Sequence, residues 1–155
     1  MIAPTTERVV PTPTYTPAAL EKLMARPIVQ PRRLTAERAH ILAARVILAA
    51  LCLQIFFAGA ALFGVSLFGT VGFTMHAIFA PIVILGSISL PLVAWRGRLD
   101  RATRRRSWLL FGLMLVQGLL IDMSRYVLPL FGAFHPLNAM LLVLVTYSFA
   151  RRRLP

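Results

Sequence analysis

Seven polar side chains fall inside otherwise apolar stretches of this chain: Gln54, His76, Gln117, Asp122, Arg125, His135 and Asn138. A polar group facing lipid costs free energy unless it is paired, so such residues are where chemistry is sought first. His76 and His135 are the imidazoles of the set. Two imidazoles from facing helices, each with its second ring nitrogen anchored, are what a b-type haem requires in many membrane cytochromes. Arg125 carries a planar guanidinium suited to an anionic group such as a haem propionate or a lipid phosphate. Asp122 and Arg125 are three residues apart, so they share a helix face and are expected to pair. His76, His135 and Arg125 are therefore the candidate cofactor-binding residues. Asp122, Arg125, Asn138, Gln54 and Gln117 are the candidate structural polar cluster.

The elements that must position these residues are membrane spans. Hydrophobic residues make up 58% of the 155 residues and charged residues only 14%, against about 25% charged in soluble domains. Every residue from Val46 to Trp95 is uncharged, far more than the roughly 20 needed to cross a bilayer. The net charge is +12. Its arginines gather before the first apolar run, in Arg96–Arg106, and at Arg151–Arg153, which is the positive-inside pattern. Topology and anionic lipid at the cytoplasmic face account for this charge, and no nucleic-acid role is expected. The single cysteine, Cys52, excludes an intrachain disulfide and a covalent c-type haem site.

The pattern predicts an all-α fold, a four-transmembrane-helix up-down bundle with both termini cytoplasmic. Residues 1–34 form an extended leader with six prolines, Pro4 to Pro31, and residues 35–155 form the membrane domain. Thr35 is the expected N-cap of a first span over about 35–68. Gly69-Thr-Val-Gly72 makes the turn to a second span over about 71–95, with a kink expected from Pro81. Ser107 caps a third span over 107–126. Pro136 starts a fourth span over 136–150. This register puts His76 about five residues inside the bilayer, roughly 7–8 Å at 1.5 Å per residue. Asp122, Arg125, His135 and Asn138 lie at the same side of the membrane. His135 falls at the boundary, more than a turn from the depth of His76, and His40 is on the opposite side. In the FHPLNA stretch, Pro136 gives a sharp helix start, and His135 and Asn138 are expected to bond Asp122 or a carbonyl freed by the kink.

QIFFAG at Gln54–Gly59, the histidine of TMHAIFA, the glutamine of LVQGLL and FHPLNAMLL together resemble a group of small bacterial four-helix integral membrane proteins. The resemblance spans about Arg38 to Arg153. It implies the fold and no activity. The long proline-rich leader departs from compact members of that group.

There is no glycine-rich phosphate loop, no HExxH and no pair of core carboxylates. No catalytic residues and no metal site are assigned, and the chain is not expected to be an enzyme. The expectation is a non-catalytic accessory subunit of a larger membrane complex, respiratory or photosynthetic, in the bacterial cytoplasmic membrane. Its partners would be other integral subunits and lipid, and it would carry no cofactor. The alternative is a free-standing haem b- or quinone-binding protein using His76 and His135.

Overall fold

The computed structural model describes residues 16–18, 21, 31–64 and 69–154. Most of the predicted leader lies outside them. From Pro31 on, the described residues form the helices α1 (Pro31–Leu62), α2 (Gly69–Ser87), α3 (Ser89–Arg96), α4 (Arg101–Tyr126) and α5 (Phe131–Ala150). There are no strands among the described residues. Helices α2 and α3 act as one apolar unit, so four helical segments are long and apolar enough to cross a membrane. The protein is an all-helical, multi-pass membrane protein by that measure.

The helix ends differ from expectation for identifiable reasons. Helix α1 starts at Pro31, not Thr35. Proline suits the first turn because its missing N–H would have no partner there. Thr35 does not cap; its hydroxyl donates back to the Pro31 carbonyl at 3.1 Å. Helix α1 ends at Leu62 rather than near 68, and Gly64 takes the left-handed conformation (φ 61°) just beyond it.

The second span runs on through Pro81 and is interrupted at Ile88. Pro91 is the physical cause. It has no N–H to offer the Ser87 carbonyl one turn earlier. The chain tightens there, with Ile88 N bonded to Leu85 O and the Ser87 hydroxyl to Ile84 O. The third span starts at Arg101 instead of Ser107. Its N-cap is Asp100, whose carboxylate accepts from the Thr103 amide at 2.8 Å and from the Thr103 hydroxyl. Those two bonds, the hydroxyl first, hold the Asp100 carboxyl below the usual aspartate range. The arginine-rich stretch is thus largely helical.

Packing follows chain neighbours and closes on itself. Helix α1 packs on α2, α3 and α5, and α4 packs on α2, α3 and α5. The pairs α2–α5 and α1–α4 are diagonals, with no Cα atoms within 8 Å of each other. Gly72 of α2 lies against Phe57 O and Ala61 of α1, an approach that a Cβ would block. The apolar core is Ala44, Ile47, Leu51, Leu90, Leu110, Met114, Leu142, Phe149 and Ala150. All of it lies toward the arginine-rich end. Arg45 ties that end together by donating to the Ala150 carbonyl (3.1 Å) and the Arg152 carbonyl (3.3 Å), which α5 leaves without helical donors.

Candidate functional site

Beyond the apolar core, toward the other end of the bundle, few residues are buried. Gln54, Ala60, Gly72 and Asn138 are those among the described residues. This half is held by polar bonds between helices. The first bond joins α1 and α2: His76 Nδ1 lies 3.0 Å from the Gln54 carbonyl oxygen. The second set joins α4 and α5. His135 Nδ1 lies 3.1 Å from the Gln117 carbonyl oxygen, and its Nε2 lies 3.1 Å from the Gln117 side-chain nitrogen. Asn138 Nδ2 donates to Leu113 O at 2.9 Å and to Gln117 Oε1 at 2.7 Å.

The geometry of the second set is simple. Leu113 and Gln117 are four apart, so their carbonyls sit one turn apart on α4. His135 and Asn138 are three apart on α5 and meet those two carbonyls in register. Each carbonyl can serve a helix bond and a side chain, because it has two lone pairs. Gln117 is the hub, since its backbone oxygen, amide nitrogen and amide oxygen all bond to α5. A carbonyl accepts only, so Nδ1 carries the hydrogen in both histidines. In a neutral ring that leaves Nε2 as the lone-pair nitrogen.

The two rings meet across the α2–α5 diagonal. Their centroids are 6.3 Å apart, with planes at 66°. The expected mismatch in depth is therefore corrected. Helix α5 begins at Phe131, so His135 is in its second turn and not at its start. HPLNA is an interior segment carrying a proline, and its latch partners on α4 are Leu113 and Gln117 rather than Asp122.

Beside the rings lies an unpaired group. Gln54 is 7% exposed. Neither its side-chain nitrogen nor its side-chain oxygen has a hydrogen-bond partner. A buried amide left unpaired costs about 1–3 kcal/mol. It stands next to His76, which bonds the same residue's backbone.

Asp122 and Arg125 do not join the cluster. Both are exposed. Arg33 and Glu37 form an ion pair at 3.2 Å, and no such pair links Asp122 to Arg125. Asp122→Asn and Arg125→Gln are accordingly expected to change stability additively, within about 0.5 kcal/mol. Unfolding midpoints of the two single variants and the double would check this. A double variant clearly more stable than the sum would restore the pair.

His40, set aside by the sequence reading, is buried at the arginine-rich end among Ser107, Phe149 and Arg152. The signal for that cluster was Asp100-x-x-Thr103, a capping pattern hidden in an arginine run. Comparison with protein-family models, with curated proteins and with solved structures finds no match for this chain.

Proposed function

We propose that this protein binds haem b between His76 and His135 and works as a non-catalytic, electron-carrying subunit of a larger complex in the bacterial cytoplasmic membrane. In this reading the four spans run up and down, with both termini on the cytoplasmic side. The observation that carries it is the ring pair. Two histidine rings this near each other are the residues that would hold a haem. The spacing here is 6.3 Å.

Three further features suit the group. Both Nδ1 atoms are anchored on carbonyls, the usual outer-shell support of a histidine ligand. The two rings come from diagonal helices with no Cα atoms within 8 Å of each other. Arg125 is eight residues past Gln117, about 12 Å further along α4, toward the rim where a propionate would emerge. Ligation by His135 would exchange its bond from the Gln117 amide for one to iron.

When bound, the haem supplies one-electron chemistry. The chain's own residues hold and orient it. No substrate site is assigned beside it, so electrons would arrive from and leave to other proteins. That is why a complex is part of the proposal. The outward faces of all the helices expose large apolar side chains such as Leu53, Leu85, Leu119 and Leu144, fit for lipid or partner helices.

The test is an absorbance spectrum of the full chain, produced with haem supplied and purified in mild detergent. A Soret band is expected, sharpening on reduction as six-coordinate haem does, and lost in His76→Ala and in His135→Ala. A colourless parent protein would sink the haem reading. If solvent extraction of that colourless protein released a quinone, the alternative ligand would take its place.

A further inference from the structure

The arginine-rich end holds a cavity of about 190 Å³, lined in part by Glu37, His40, Leu99, Asp100, Arg152 and Arg153. Its walls carry both signs of charge. Arg152 and Arg153 carry the positive charge and Glu37 and Asp100 the negative, with Arg152 and Asp100 both bonded to the Thr103 hydroxyl. Such a mixture suits a ligand that is itself zwitterionic, because a uniform charge would meet repulsion from half the wall.

His40 sharpens this. It is 2% exposed, and its ring stands edge-on to Phe149 at 4.9 Å. Its Nε2 lies 2.9 Å from the Ser107 hydroxyl oxygen. That hydroxyl donates its own hydrogen to the Thr103 carbonyl at 2.8 Å. The shared hydrogen must then come from His40, so Nε2 is the protonated nitrogen and Nδ1 is a bare acceptor. The ring lines the cavity. The cavity therefore presents acceptors from His40, from Asp100, which also takes the two Thr103 bonds, and from Glu37, which also pairs with Arg33.

The donors are placed as firmly. Arg152 Nη1 lies 3.3 Å from the Thr103 hydroxyl oxygen, and its guanidinium sits 5.6 Å from the Phe149 ring centre. The cavity is smaller than the roughly 300–1,000 Å³ of a drug-sized site, which points to a headgroup rather than a whole organic ligand. Trp95 and Trp108 are exposed at this end. Tryptophan gathers where membrane meets water, the level at which lipid headgroups lie.

We propose that this cavity seats the headgroup of phosphatidylethanolamine. Its phosphate lies against Arg152 and Arg153. Its ammonium donates to Asp100, Glu37 and His40 Nδ1. Phosphatidylcholine shares the phosphate but its methylated nitrogen has no N–H to donate. Phosphatidylglycerol has the phosphate and no positive charge.

The test is native mass spectrometry of the full chain, released by mild detergent from vesicles holding equal amounts of these three lipids. At least a fivefold excess of the phosphatidylethanolamine adduct over either of the others is expected. Asp100→Asn keeps a capping oxygen for Thr103 and removes the charge; it should bring the adduct down to the phosphatidylcholine level, with a small fall in the unfolding midpoint from the weakened cap. Arg153→Gln should lower all three adducts together. Preferential retention of phosphatidylglycerol would mean that the arginines act alone, and would overturn the proposal. Equal retention of the three lipids, or none, would overturn it as well.

Discussion

Gln117→Leu is expected to destabilise the haem-free protein by about 1–3 kcal/mol, and Gln54→Leu to leave it unchanged or raise its stability by about 1 kcal/mol. The residue type and the substitution are the same, and both positions lie within helices. The difference lies in their partners. The Gln117 side chain donates to His135 and accepts from Asn138. Removing it leaves His135 Nε2 without a donor and takes one of two acceptors from Asn138. Bonds between membrane helices contribute about 0.6 kcal/mol each on average and up to 1.7. Losing two, with one acceptor stranded, gives the stated range.

At Gln54 there is nothing to lose on the apo side. The amide is buried and bonds to no protein atom. Leucine has a similar volume and no polar atoms to strand. His76 would keep its bond, because that bond is to the Gln54 backbone. Unfolding midpoints of the full chain in mild detergent would measure both. A loss at Gln54 as large as at Gln117 would mean that the amide has a partner after all, a bound water or an altered rotamer. Repeating the comparison on haem-loaded protein carries further information. A penalty at Gln54→Leu that emerges only with haem bound would assign this amide to the ligand.

Much of this arrangement was legible in the sequence, and what was not has a common cause. The spans could be read because lipid imposes one rule on every residue of an outward face. The seven polar candidates could be read for the same reason, and five of them do meet: Gln54, His76, Gln117, His135 and Asn138. Their pairing could not be read, because it depends on helix ends. Starting α5 at Pro136 puts His135 at the rim and directs it to Asp122. Starting it at Phe131 moves His135 inward by more than a turn and directs it to Gln117. Proline is compatible with both starts, so Pro136 did not decide between them. The same ambiguity operated in the second span. Pro81 and Pro91 read alike in sequence, but the break fell at Ile88, three residues before Pro91, where the Ser87 hydroxyl and a tightened turn accommodate it. Charge was also misleading at Asp122 and Arg125. Spacing permits the pair, but both side chains are exposed near the end of α4, where each can be solvated alone.

The short RGRLD connection after α3 should respond with opposite signs at adjacent residues. Gly97→Ala is expected to cost about 1–3 kcal/mol, as overpacking does, and Arg98→Gly to stabilise by about 1 kcal/mol. A glycine usually occupies the left-handed position just past a helix. Here that position belongs to Arg98, with φ of 51°. The surrounding bonds are those of a Schellman motif: Leu99 N to Ala94 O at 3.0 Å and Arg98 N to Trp95 O at 3.1 Å. Leu99 and Ala94 are both buried, as that motif prefers. The glycine is one residue earlier, at an ordinary φ of −77° that alanine could adopt. Its role is spatial. A Cβ at Gly97 would collide with the Ala36 Cβ of α1 and approach Val93 O to 2.9 Å. So α3 and α1 touch through a glycine, and the turn itself tolerates an arginine in a strained conformation. Ala36→Gly separates the two explanations. Alone it should cost up to about 1 kcal/mol in helix propensity. Combined with Gly97→Ala it should recover part of the loss, because the collision is removed. Strictly additive losses in unfolding midpoints would mean that the two helices do not meet at Gly97 and Ala36.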